Sequence, residues 1–209
     1  MFSNFAMTAD GKIAFADHHF DPFGSKRDQE HMLELRATAD AIISGARTVD
    51  LSGATMGTGG EKYRKLRLKR GLREESLRVI ASGSGSIDPD AEIFKRHNSP
   101  IIILTTLRAG EDRLKTLREL AEVKICGETE INFAVAFRWL RKKWNVKRLL
   151  SEGGGELHGS LVRAGLVDEL HLTMCPTIFG GRTSPTIADG EGISHISNAC
   201  GFKLSSAER

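Results

Sequence analysis

The segment 146-VKRLLSEGGGELHGSLVRAGL-166 reads as a strand, a sharp turn and a helix in immediate succession. The apolar run ending at Leu150 suits a buried strand, and 155–164 carries apolar residues at helical spacing. Gly165 suits the left-handed position that closes a helix, with Leu166 as the hydrophobic contact behind it. Three glycines in a row between the two elements cost backbone entropy, and they let the chain turn tightly and approach another molecule without a Cβ in the way. The helix that follows points its free N–H groups and the positive end of its dipole back at the turn, an arrangement suited to pyrophosphate. The spacing is neither G-x-G-x-x-G nor a Gly-Lys-Ser/Thr loop, which speaks against a Rossmann or P-loop site.

Working outward, the same alternation runs through the chain. Residues 1–6 form a strand, with a long loop to Gly24. Ser25 caps a helix to about Thr38, with Asp28 at its third position. Strands follow at 40–45, 77–83 and 100–106 ("PIIILTT", continuous and β-branched), with helices around the basic "RKLRLKRGL" and at 110–121. A short strand at 123–126, a helix at 130–143 with Phe133, Phe137 and Leu140 on one face, and a strand at 167–176 come next. "GFKLSS" near the end reads as a final edge strand. Strands separated by helices predict a largely parallel sheet covered on both faces, with ligands beyond the carboxyl ends of the strands. Three such ends are small or polar: "SGART", "ASGSG" and "SEGGGE". Gly45, Arg47 and Thr48 at the first, and Ser82 and Ser84 at the second, add hydroxyls and a cation to the glycine turn. Together they suit an extended ligand with more than one phosphate.

Composition narrows the class. The chain has 209 residues, 40% hydrophobic and 27% charged, with a formal net charge of +3, too mild to imply nucleic acid. Its three scattered cysteines (Cys126, Cys175, Cys200) have no metal-ligand spacing, and no apolar run reaches membrane-spanning length, so a reducing cytoplasm is the expected setting. The charge cluster 62–73, with seven basic residues, reads as a solvated helix face, with phosphate or nucleic acid as alternatives. "DHHF" (17–20) reads as polar loop rather than a metal site, and no metal is expected.

The chain resembles the riboflavin-biosynthesis pyrimidine reductases of the dihydrofolate reductase superfamily. The likeness rests on "MTADGKIA" (7–14), "LRATADAIISGARTV" (35–49), "SEGGGELHGSLVRAGLVDEL" (151–170) and "PTIFGG" (176–181). It implies one reductase domain over 1–209, a three-layer α/β/α fold with a mixed, mainly parallel sheet, and a homodimer. It also implies NADPH-dependent reduction of a phosphorylated ribosylaminopyrimidine to its ribityl product, with no nucleic acid or membrane partner. By resemblance, Ala6 lines the nicotinamide region. Thr48, Gly153, Gly154, Gly155, Glu156, Leu157 and Ser160 hold the cofactor phosphates; Ser82 and Ser84, with Arg47, suit a 2′-phosphate. Arg36 and Glu152 match substrate contacts, and Asp10 and Lys12 are catalytic candidates in the loop after the first strand. The loop 50–65 departs from the family pattern: Ser52 and Gly59 fall where an aspartate and a phosphate-binding arginine stand in bacterial members. Lys62, Arg64 and Lys65 are the possible replacements. Two other readings stay open: dihydrofolate reduction, with Gln29 or Glu30 at the helix-carboxylate position, and a non-catalytic binding module using the basic stretch.

Overall fold

The computed structural model describes residues 1–18 and 21–208. Seven strands form one sheet: β1 (Phe2–Thr8), β2 (Ala41–Gly45), β3 (Leu77–Ala81), β4 (Ile101–Thr105), β5 (Glu122–Ile125), β6 (Leu149–Ser151) and β7 (Glu169–Cys175). Their order across the sheet is β5-β4-β3-β2-β6-β1-β7. Every ladder between named strands is parallel, as in Ala41↔Leu77 and Phe2↔Glu169. The expected mixed sheet is corrected on this point. "GFKLSS" forms no strand among the described residues; 200–208 is exposed coil, and the one antiparallel contact is an isolated bridge, Lys12↔Thr186.

Two-residue alternation explains the layering. Ile42, Ile80, Ile103 and Leu150 point into one apolar cluster, while their neighbours Ile43, Val79, Ile102 and Leu149 point into the other. The first cluster is roofed by α1 (Lys26–Arg36), α2 (Ala46–Ser52), α4 (Glu92–Lys95) and α5 (Gly110–Leu120), through Leu35, Val49, Ile93 and Leu117. The second is covered by α6 (Phe133–Trp144) and α7 (Gly155–Arg163), through Ala136, Leu140, Leu157 and Leu161. Buried on both sides, the central strands need no polar alternation, which is why "PIIILTT" is continuous.

The helix ends follow local chemistry. The Ser25 hydroxyl accepts from the Asp28 N–H at 3.2 Å, as the capping pattern predicts. Asn132 caps α6 in the same way, and Asn145 ends it in the left-handed region. After α7, the Gly165 N–H donates to Val162 O and the Leu166 N–H to Leu161 O, the paired bonds of a Schellman closure. The basic helix α3 (Glu61–Lys69) presents a solvated face, as its charge suggests, with Lys62, Lys65 and Lys69 exposed, but one of its cations turns inward. Arg67 is fully buried and donates to the carbonyls of Arg36, Ala39 and Arg73, tying the end of α1 to the chain beyond α3.

Candidate active site

The carboxyl ends of β1, β2, β3 and β6 open on one cavity of about 1740 Å³. Three strand ends singled out in the sequence are therefore brought together: Arg47 and Thr48 after β2, Ser82 and Ser84 after β3, and Glu152 to Glu156 after β6 all line it. Ala6, Leu157 and Ser160 line the same space.

The three glycines of the β6–α7 turn act differently. Gly153 and Gly154 have φ of +134° and +82°, backbone that side-chain-bearing residues rarely adopt. A Cβ on Gly154 would stand 3.1 Å from Thr48 Oγ1, so the β2 and β6 turns nearly touch there. Gly155 opens α7 with helical backbone, but a Cβ there would come within 2.4 Å of the Thr186 carbonyl and 2.3 Å of Asp189 Oδ2. The first two shape the turn; the third lets a neighbouring loop close over the helix. No side chain caps α7, so its first N–H groups face the cavity end of the turn. The Ser44 hydroxyl, beside Gly153, is buried without a partner. This cradle fits a diphosphate.

Beside this turn, α1 presents Arg36, which Glu152 grips in a two-point ion pair: Nε to Oε1 at 2.7 Å and Nη2 to Oε2 at 2.6 Å. Both side chains are largely buried, at 13% and 8% exposure. Burial opposes the Arg36 charge, and the Glu152 carboxylate outweighs it, holding the guanidinium above its usual range. Arg36 Nη1 donates to Gly57 O at 2.5 Å, fixing the loop between α2 and α3. That loop is anchored further by Met56, buried in the core with a positive φ, and by Thr58, whose hydroxyl donates to Glu75 at 2.9 Å. The two residues carried over as substrate contacts are thus partners of one another, beside the glycine turn.

Asp10 is employed otherwise than the sequence reading assumes. Its carboxylate accepts from the Thr8 hydroxyl (2.6 Å) and from the N–H groups of Phe179 (3.2 Å) and Gly180 (2.7 Å), and these bonds, Thr8 first, hold it below the usual range. It is exposed and does not line the cavity; it pins "PTIFGG" to the loop after β1. Lys12 is also off the cavity wall, its Nζ donating at 3.1 Å to the carbonyl of Ser184, which does line it. Arg47 lines the cavity and pairs with Glu156 at 3.6 Å, but both side chains are exposed, and so weak a pair leaves Arg47 available to a ligand. Of the replacements for the missing loop cation, Arg64 is held by Glu75 at 2.8 Å and Lys65 by Glu61 at 3.4 Å; neither they nor Lys62 line the cavity. Gln29 lines it, Glu30 does not. For "DHHF", His19 and Phe20 lie outside the described residues, and no cluster of three metal-ligating side chains occurs among the rest.

The sequence reading missed Arg108. It lines the cavity beside Ser82 and Ser84 because β3 and β4 are neighbours, Ala81 standing opposite Leu104. Its Nη1 donates only to Thr129 O, at 3.3 Å, and Arg113 of α5 donates to Ser84 O at 3.2 Å. Among the described residues neither guanidinium has a carboxylate partner. The only signal was the polar "TTLR" after "PIIIL", legible once the strand order is known.

A parallel sheet pooling its turns around a diphosphate cradle, beside a buried Arg–Glu pair, defines a dihydrofolate-reductase-like α/β protein. The sequence model of the RibD C-terminal domain matches residues 1–209, and the chain belongs to that family. A relative from Archaeoglobus fulgidus, named 2,5-diamino-6-ribosylamino-4(3H)-pyrimidinone 5′-phosphate reductase, is 31% identical over 191 residues, 91% of this chain and 86% of that one. A reductase of the same name from Methanothermobacter thermautotrophicus is 30% identical over 201 residues, 96% and 88% of the two chains. Among solved structures, a pyrimidine reductase-like protein from Corynebacterium diphtheriae superposes with a TM-score of 0.78 at 23% identity, over 97% of this chain and 82% of that one, a likeness of fold. No helix among the described residues is long and apolar enough to cross a membrane.

Proposed function

We propose that the protein is an NADPH-dependent reductase of a ribosylaminopyrimidine 5′-phosphate in riboflavin biosynthesis, with 1–209 as one reductase unit. The observation that carries this is the placement of the Arg36–Glu152 pair against the Gly153–Gly155 cradle in one cavity, in a chain 30–31% identical to reductases named for that substrate class.

NADPH, when bound, supplies the hydride. The protein's part is to bind, orient and keep water out. The turn at Gly153 and Gly154, the N–H groups opening α7, and the hydroxyls of Thr48 and Ser160 take the diphosphate. Ala6 gives the nicotinamide end an apolar wall, and Leu157 backs the diphosphate turn. Glu152 fixes the Arg36 guanidinium, and the pair together presents donors and acceptors to the sugar and the ring edge. Asp10 acts as a positioning residue through the 176–181 loop. The proton that completes the reduction comes from water, because Lys12 lies off the cavity wall with its Nζ on Ser184 O. A homodimer is part of the same reading: β7 leaves one edge unpaired, with Leu172 and Met174 exposed at 42% and 65%.

Loss of the reduced nicotinamide absorbance, with the diamino pyrimidinone phosphate, its deaminated counterpart and dihydrofolate offered in parallel, tests the reading. Turnover of a pyrimidine is the expected result. Turnover of dihydrofolate alone would overturn it.

The choice of NADPH over NADH rests on Ser82, Ser84 and Arg108 at one end of the cavity, with Arg113 bound to Ser84 O outside the lining. Arg108→Ala is expected to weaken NADPH binding about ten- to a hundredfold, the worth of a charge-assisted hydrogen bond of roughly 1.5–3 kcal/mol, and to leave NADH binding unchanged. Titration of intrinsic fluorescence with each nucleotide measures both. Equal losses would remove Arg108 from phosphate recognition.

A further inference from the structure

We propose that Arg182, on the segment 176–190 that follows β7, holds the phosphate of the substrate in place of the arginine missing from the 50–65 loop. The proposal rests on the reading above and assigns the phosphate end of that substrate to one residue.

The fixed positive charges around the cavity sort by position. Among the described residues that line it they are Arg36, Arg47, Arg108, Arg163 and Arg182. Arg108 stands with Ser82 and Ser84. Arg47 pairs with Glu156 on the first turn of α7, and Arg163 on the last turn donates to Ser160 Oγ at 3.2 Å, so both flank the helix assigned to the diphosphate. Arg36 commits all three of its nitrogens, Nε and Nη2 to Glu152 and Nη1 to Gly57 O. The α2 side, next to the loop that lacks the arginine, offers Asp50, Leu51, Ser52 and Ala54 to the cavity. A carboxylate there repels a phosphate.

Arg182 is left. It is exposed, lines the cavity, and has no hydrogen-bond or ion-pair partner among the described residues. It stands where the loop after β1 runs into α1. A Cβ on Gly181 would lie 3.4 Å from Ala16 Cβ, and the Thr183 hydroxyl donates to Ala16 O at 3.4 Å. Phe179 packs on Phe15 and Phe23, with ring centroids 4.4 and 5.0 Å apart. Phe23 and Gly24, just ahead of α1, line the same cavity. Arg182 and Arg36 therefore mark the two ends of the wall that α1 builds, and its eleven residues span about 16 Å. Reduction acts on the ring-opened sugar, an extended five-carbon chain. Laid along that wall from the Arg36–Glu152 pair, the chain carries its phosphate toward the mouth, within reach of a long arginine side chain.

The segment that carries Arg182 is held in place. Gly180 and Gly181, at φ +66° and +83°, fold it back on buried Ser184, and the Ile13 N–H donates to Pro185 O at 2.9 Å. Lys12 Nζ donates to Ser184 O at 3.1 Å, which sets a second positive charge behind the arginine. A planar guanidinium with no carboxylate partner matches two phosphate oxygens at once, and the ammonium adds to the field they meet.

The test compares the ribosylaminopyrimidine phosphate with its dephosphorylated nucleoside on wild type, Arg182→Ala and Arg182→Lys. Wild type should prefer the phosphate in kcat/KM. Arg182→Ala should shrink that preference about tenfold or more, through KM rather than kcat, and Arg182→Lys should keep part of it. Binding of ribose 5-phosphate, followed by calorimetry with and without NADPH, reads the same site without turnover and should weaken in step. A KM for the phosphate that does not move in Arg182→Ala, or an equal loss for phosphate and nucleoside, overturns the assignment. If ribose 5-phosphate binding follows residue 182 while neither pyrimidine is reduced, the phosphate site stands and the reductase reading fails.

Discussion

Arg36→Met is expected to lose both stability and turnover. The change strips the partner from Glu152, whose side chain is 8% exposed, and frees the Gly57 carbonyl that Arg36 holds. Removing one member of a buried ion pair typically costs about 3–5 kcal/mol, since the remaining charge is left without compensation. For a domain of this size that corresponds to a fall in Tm of roughly 6–20 °C, read by thermal circular dichroism. Pyrimidine reduction should fall below detection. Arg36→Met combined with Glu152→Leu replaces the pair by apolar groups and should recover most of the stability with none of the activity. A single variant that melts and turns over like wild type would remove the pair from the site.

Gly154→Val should separate binding from folding. At φ +82° a β-branched residue costs about 1–2 kcal/mol, and its Cβ would stand 3.1 Å from Thr48 Oγ1, in the space assigned to the diphosphate. We expect a folded protein with NADPH affinity reduced about a hundredfold or more, measured by fluorescence titration beside a wild-type circular dichroism spectrum. Gly155→Ala is the contrasting change, because its Cβ would strike the Thr186 carbonyl and Asp189, so its penalty falls on the α7 junction first. Unchanged NADPH affinity in folded Gly154→Val would detach the glycine turn from the cofactor.

These cases show what the sequence could reveal. The glycine turn, the Ser25 cap, the Gly165 closure and the alternating strands were legible because each is a local pattern whose physics acts within a few residues. The pooling of three strand ends followed from parallel topology alone. What escaped depends on which elements become neighbours. Arg108 matters because β4 lies beside β3. Asp10 reads as a reactive group until the 176–181 loop folds onto it, and Arg67 reads as a solvated cation until α1 lends it carbonyls. The final strand failed for a similar reason: "GFKLSS" has strand-like composition, but nothing among the described residues pairs with it.

The anchored loop between α2 and α3 has a practical meaning for redesign. Met56 is sunk in the core, Gly57 is bound by Arg36, Thr58 is bound by Glu75, and a Cβ on Gly59 would collide with Leu33. Met56, Thr58 and Gly59 are therefore closed to variation, and Gly53, at φ +61°, is held to glycine by its backbone, whereas Ala54 and Thr55 carry no such ties. A library aimed at new substrates belongs on Ala54, which lines the cavity, and on Thr55 beside it, where diversity can be introduced without loosening the wall that holds Arg36.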